Sequence, residues 1–312
     1  MMREYSLTVI FIIILICAAA MLTLWVFMPE KGGDTDLSDE SSSLPVINSS
    51  ENNSESSMVS DDTTWDESSV DDTESSEDSD ETSGKEINWN YTVDISMYLK
   101  YIEPENPESF SALVNKNTVP LSADYVPEQL VLSANARPGR EDQCYMNATA
   151  AKALEAFLKE AAYYGYDDIT VTNAYRSYNT QYYLFYDYYF KLEASKNPGL
   201  TKSQIIALVS AYSFPPGQSE HQTGLACDMH NVAVGNQDSF NHSEEAEWLA
   251  DNAYRFGFIL RYPEGKEDIT GAIYESWHFR FVGRKLAAYL YVNNITLDEY
   301  YEKGYDIYSE NQ

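Results

Sequence analysis

Residues 219–230 read Ser-Glu-His-Gln-Thr-Gly-Leu-Ala-Cys-Asp-Met-His, or SEHQTGLACDMH. The chain carries four histidines in 312 residues, and two of them fall within these twelve. The loop PPGQSEH delivers the chain to a strand predicted over residues 223–228. Side chains along a strand alternate between its faces, so Asp228 shares a face with Ala226 and Gly224, whose small size leaves room for an ion and a substrate. His221 reaches that face from the preceding turn, and Cys227 points the other way, into the core. His230, two residues beyond Asp228, lies on the ligand face and competes as a ligand. His221 and Asp228 alone are incomplete, because a catalytic zinc site takes three protein ligands and keeps a further position open.

Residues 274–283, Tyr-Glu-Ser-Trp-His-Phe-Arg-Phe-Val-Gly, supply what is missing. His278 can be the third ligand, and Glu275, three residues earlier, can stand beside the bound water as general base. Zinc acidifies a bound water toward a pKa of about 7, and a carboxylate removes its proton as the water attacks a carbonyl. His242, in the polar stretch NQDSFNHSEE, reads as a surface loop residue.

Working outward, residues 147–162 place Leu154, Phe157, Leu158 and Ala161 at helical spacing, with Asn147 as cap and Gly165 just beyond. DITVTN, residues 168–173, is a short strand, and a Tyr-rich helix is expected over about 179–195. Thr201-Lys-Ser-Gln204 is a capping box that opens a helix ending before Pro215. Ser243 caps a helix closed by Gly257, residues 258–262 and 274–282 read as strands, and a last helix runs from about Gly283 to Asn293. Helices come early and strands pair late. The expected fold is α+β, a small antiparallel sheet carrying the zinc site and flanked by helices.

Ahead of this domain, Leu7 to Met28 is an uncharged run of 22 residues, against the roughly 20 that cross a bilayer. Residues 1–31 read as an N-terminal anchor whose transmembrane helix spans 7–28, with the rest of the chain outside the membrane. Residues 32–88 are rich in Ser, Asp and Glu and too poor in apolar groups to repay the entropy of ordering, so a disordered linker is expected. Such a linker of about 55 residues reaches at least about 40 Å as a flexible coil. The net charge is −30, and residues 1–88 hold 20 acidic against 3 basic side chains, leaving 30 against 17 for residues 89–312. That acidic balance excludes nucleic acid as a partner. Cys144 and Cys227 are the two cysteines outside the apolar run, and a disulfide between them stays open.

The pattern Ser-x-His-x-x-Gly-x-Ala-x-Asp at 219–228, with Glu-x-Trp-His at 275–278, resembles the zinc D-alanyl-D-alanine carboxypeptidases of the VanY type, in the wider group that includes lysostaphin and the hedgehog signalling domain. The resemblance extends to Tyr175-Arg-Ser-Tyr-x-x-Gln181 and to Phe258-Ile-Leu-Arg-Tyr-Pro-Glu-Gly-Lys266, and covers about residues 111–301 within a peptidase domain at 89–312. It implies one Zn2+ held by His221, Asp228 and His278, Glu275 as base, and Arg176 as the cation that polarises the scissile carbonyl. Gln181 and Ser219 match substrate-pocket positions, although Ser219 could equally cap the turn; Trp277 is expected beneath the site. Ser276 stands where Pro is common, which implies a less rigid loop, and Phe281 where Tyr is common. The implied activity is removal of the terminal D-alanine from peptidoglycan stem peptides outside the membrane. An L,D-carboxypeptidase acting on tetrapeptide stems, a peptidoglycan endopeptidase, and a non-catalytic peptidoglycan-binding module are the alternatives.

Overall fold

The computed structural model describes residues 85–231 and 240–309. The expected membrane helix and nearly all of the expected linker lie outside the described residues. No helix among the described residues is long and apolar enough to cross a membrane.

A two-stranded hairpin, β1 (Leu130–Leu132) and β2 (Tyr145–Asn147), leads directly into α1 (Ala148–Tyr163). Asn147 caps α1 as its residue type dictates, its side chain accepting from the Thr149 and Ala150 amides. Then follow β3 (Ile169–Asn173), α2 (Tyr178–Tyr182), a π-helical segment at Tyr183–Tyr189, α3 (Phe190–Lys196) and α4 (Lys202–Val209), the last opened by the expected capping box at Thr201 and Gln204. β4 (Ala226–Asn231), α5 (Glu244–Asn252), β5 (Phe258–Leu260), β6 (His278–Phe281), α6 (Arg284–Val292) and α7 (Leu297–Glu302) follow, with single helical turns at Leu99–Ile102 and Glu267–Thr270 besides. The main sheet is antiparallel throughout, in the order β3-β4-β6-β5.

Period-2 alternation sorts the sheet into two faces. Ile169, Val171, Cys227, Met229, Phe279 and Phe281 enter the core under α1. There Phe157 stacks on Phe256, Phe258 and Trp248 and meets Phe279 edge-on. The opposite face carries Thr170, Thr172, Asp228, His230, His278 and Arg280, and the residues between β3 and α4 help to wall a cavity over it. Cys144 and Cys227 are buried free thiols, not a disulfide.

Strand boundaries differ from the sequence-based expectation: β5 ends at Leu260 rather than 262, β3 starts at Ile169 rather than 168, and two further differences bear on the site. β4 begins at Ala226 rather than 223, because Glu220–Thr223 form a 3-10 turn closed by Gly224 in the left-handed region at φ +69°. Gly224 therefore makes no room for an ion beside Asp228; a Cβ there would meet Leu130 and Pro127 at 3.1 Å. β6 is likewise confined to His278–Phe281, with residues 274–277 forming the loop that carries Glu275.

Candidate metal centre

Each ligand candidate arrives on a different element. The 3-10 turn presents His221, β4 presents Asp228 at its centre, and β6 presents His278 directly opposite Asp228 in register. One ligand atom from each lies within 4.8 Å of the other two. His221 Nδ1 sits 2.6 Å from the Ala174 carbonyl, so it donates there and leaves the Nε2 lone pair facing Asp228 Oδ2 at 3.5 Å. His278 turns the other way: Nδ1 lies 3.1 Å from Asp228 Oδ1, and Nε2 faces Glu220 Oε2 at 3.7 Å. Three ligands held tetrahedrally at the usual bond lengths of a Zn2+ centre lie about 3.4 Å apart. The two separations to Asp228, 3.5 and 3.1 Å, are close to that span, and the His-Asp-His donor set suits zinc.

The buried polar atoms support the same fit. His278 Nε2 and Glu220 Oε2 are both buried without a hydrogen-bond partner and point at each other. When His278 gives its Nδ1 lone pair to a cation, its proton sits on Nε2, where the Glu220 carboxylate can accept it and fix the ring. Glu220 is itself anchored, accepting from Arg261 Nε at 2.7 Å and Arg280 Nη1 at 2.9 Å. Arg261 also grips Asp298 at 2.5 and 3.2 Å, and Arg280 donates to the Phe110 and Ala112 carbonyls. Sequence reasoning passed over this network. The available signal was Arg280, which shares the site face of β6 with His278 and so requires a buried acid.

The titration of these groups follows from burial and charge. Burial pushes Asp228 upward, but His221 and His278 outweigh it and hold the carboxyl well below the usual range. Burial of Glu220 is likewise outweighed, by Arg261 and Arg280, so that carboxyl stays ionised. Burial and the Arg176 charge keep His221 neutral, as a ligand must be. Burial lowers His278, yet its hydrogen bond to Asp228 and the nearby Glu220 carboxylate win and raise it to about 9, so a cation has to displace a proton there.

Glu275 lines the same cavity, its Oε2 3.8 Å from His278 Nδ1, and burial pushes it up to about 8. Its loop is pinned despite the absence of Pro: the buried Ser276 hydroxyl donates to Asn241 Oδ1 at 2.7 Å. Trp277 is buried at the cavity wall as expected. Arg176 borders the cavity and donates from Nη1 to Gln181 Oε1 at 2.9 Å. The Gln181 amide then donates to the Phe214 carbonyl at 2.6 Å and to Ser213, so this buried side chain braces Arg176. Ser219 lines the cavity and makes no capping hydrogen bond to its turn. His230 lies on the same face yet stands outside the ligand cluster, and His242 is exposed.

Comparison with known proteins agrees with this geometry. The VanY family, described as D-alanyl-D-alanine carboxypeptidase, matches residues 143–284. The putative carboxypeptidase YodJ of Bacillus subtilis (strain 168) is 37% identical over 203 residues, covering 64% of this chain and 69% of its own. The structure of the LdcB LD-carboxypeptidase superposes with a TM-score of 0.55 at 37% identity, over 65% of this chain and 90% of that one. A point mutant of the vancomycin-resistance D,D-pentapeptidase VanY, in complex with Zn(II), gives a TM-score of 0.50 at 32% identity, over 62% of this chain and 98% of that one. On these matches, this chain belongs to the VanY family of D-alanyl-D-alanine carboxypeptidases.

Proposed function

We propose that this protein is a zinc-dependent D,D-carboxypeptidase that releases the C-terminal D-alanine of peptidoglycan stem peptides. The observation that carries the reading is the convergence of His221, Asp228 and His278 on one point, with Glu275 beside it in a cavity of about 1020 Å³. Bound there, Zn2+ supplies a Lewis acid that makes a water nucleophilic near neutral pH.

The chain's own groups do the rest. Glu275, 3.8 Å from His278 in the cavity wall, takes a proton from the attacking water and passes it to the leaving amine. Arg176, held by Gln181, places fixed positive charge where the scissile carbonyl oxygen becomes negative. The Ser219 hydroxyl, free of its turn, is available to the terminal residue. A pure binding module has no use for a buried base, which disfavours the non-catalytic alternative.

One observation favours a second reading. The likeness to an LD-carboxypeptidase at 37% identity makes tetrapeptide stems the rival substrate. D-alanine release from pentapeptide and tetrapeptide stems, with chelation and zinc restoration, separates the two. Release from the pentapeptide, lost on chelation, is the expected result, whereas release from the tetrapeptide alone moves the assignment to L,D-specificity.

The same proposal includes residues 1–31 as a membrane anchor, 32–88 as a linker and 89–312 as an extracytoplasmic peptidase domain. It rests on the uncharged run at 7–28 and the acidic composition that follows. Membrane fractionation with protease shaving of intact cells tests it; a domain found in the soluble fraction or shielded from protease refutes it.

A further inference from the structure

His230 is the buried histidine that the catalytic chemistry leaves unused. It follows Asp228 by two residues on the same face of β4, about 7 Å along the strand, and lines the same cavity. Its ring lies nearly parallel to Trp277, centroids 5.9 Å apart, and is 8% exposed. Nδ1 is 3.1 Å from the Thr172 hydroxyl, but Nε2 is buried and meets no partner. Burying a polar nitrogen unpaired is unfavourable, so this atom calls for a ligand.

The surroundings indicate what kind. Arg137 and Arg140 line the same cavity, and no acidic side chain among the described residues forms an ion pair with either. The backbone holds Arg137 beside this part of the sheet: its amide donates to the Val171 carbonyl at 2.8 Å, and Val171 pairs with Met229, next to His230. Asp142, exposed, is the acid that also lines the cavity beside this segment. In a domain holding 30 acidic against 17 basic residues, two guanidinia left without an acid are a feature to be explained.

Register sets the direction. Thr170 pairs with His230 and Asn173 with Asp228, after which the chain continues from Asn173 to Arg176. Arg176 and His230 therefore lie on opposite sides of Asp228 along the strand axis. On the carboxypeptidase reading proposed above, the leaving residue occupies the end with Arg176 and Ser219, and the acyl side of the peptide runs toward His230. The distance along β4 equals about two extended residues, within reach of the acyl-side residues or their side chains.

We propose that His230 and Arg137, with Arg140 at the rim, form a subsite for a second carboxylate borne by the acyl-side part of the stem peptide. Arg137 supplies the charge. His230 supplies a directed N–H from Nε2 when the Thr172 hydroxyl, which also reaches the Asp228 carbonyl at 3.2 Å, turns to donate to Nδ1. Charge-assisted bonds of this kind discriminate a carboxylate from its amide by about tenfold to a hundredfold.

Two stem pentapeptides that differ only in whether an acyl-side carboxylate is free or amidated test this in the zinc-loaded full chain. The free acid is expected to be preferred by about tenfold or more in kcat/KM, chiefly through KM. Arg137→Gln, and separately His230→Phe, which keeps a ring against Trp277, should each remove most of that ratio. A ratio near one in the wild type, or one that both variants leave intact, overturns the subsite. Equilibrium binding of both peptides to the Glu275→Gln chain keeps the two proposals apart. Discrimination in binding without hydrolysis by the wild type sinks the reaction and keeps the subsite, and hydrolysis without discrimination does the reverse.

Discussion

Glu220 supports a prediction that couples stability to metal binding. Glu220→Gln removes a charge that accepts from two fully buried guanidinia at 2.7 and 2.9 Å and faces His278 Nε2 at 3.7 Å. Breaking a buried charge pair costs about 3–5 kcal/mol. The lower end applies, since Gln keeps one acceptor oxygen, Arg261 keeps Asp298, and Arg280 keeps three carbonyl acceptors. For a domain of this size about 3 kcal/mol corresponds to a fall in Tm of about 6–12 °C. The folded-state pKa of Glu220 is depressed, so its stabilisation is complete above the unfolded value of about 4.3 and is lost as the pH falls below it. The gap between wild type and variant should therefore be full at pH 7 and narrow in acid. Thermal unfolding of the chelated full chain at pH 7 and pH 3.5 reads the first effect. Competition with a chromophoric chelator reads the second, an expected loss of about tenfold to a hundredfold in zinc affinity as His278 loses its acceptor. A Tm within about 2 °C of wild type, together with unchanged zinc affinity, would refute the reasoning.

Other consequences can be checked independently. Because His278 is raised to about 9 and must lose a proton to bind a cation, zinc affinity should climb with pH up to about that value, with release of about one proton at pH 7. Calorimetry in buffers of different ionisation enthalpy measures this, and a pH-independent affinity between 6 and 9 contradicts it. Arg176→Lys should keep one zinc per chain while kcat falls by about a hundredfold, because a compact ammonium cannot both bond Gln181 and face the carbonyl oxygen. Phe157→Ala should cost about 3–5 kcal/mol, seen as a lowered denaturant midpoint, since that ring touches four other aromatic side chains at the centre of the core.

Much of this was legible in the sequence because it rests on local rules. The caps at Asn147, Thr201 and Ser243 and the alternation along β6 follow from residue type and spacing. The start of β4 was misplaced because Thr223 and Leu225 suit a strand by composition, while Gly224 at positive φ closes a turn there. The β1-β2 hairpin was missed, since two three-residue strands carry almost no periodic signal. In the site, the three ligand candidates could be read from their motifs, and the fold brings them together. Gln181 lines the cavity, but its bracing of Arg176 could not be read, because its amide is fixed by Ser213 and Phe214, 32 and 33 positions away. Glu220 was hidden for the same reason, its partners Arg261, Arg280 and His278 standing 41 to 60 positions away.

The central claim is that His221, Asp228 and His278 hold one zinc ion and that Glu275 does the proton transfer beside it. Its most direct test is zinc content and D-alanine release measured side by side on the wild-type chain and Glu275→Gln. We expect one zinc per chain in both and a loss of release by at least about a thousandfold in the variant, in the range that loss of an essential acid-base group produces. A Glu275→Gln chain that binds zinc normally and releases D-alanine at the wild-type rate would contradict it.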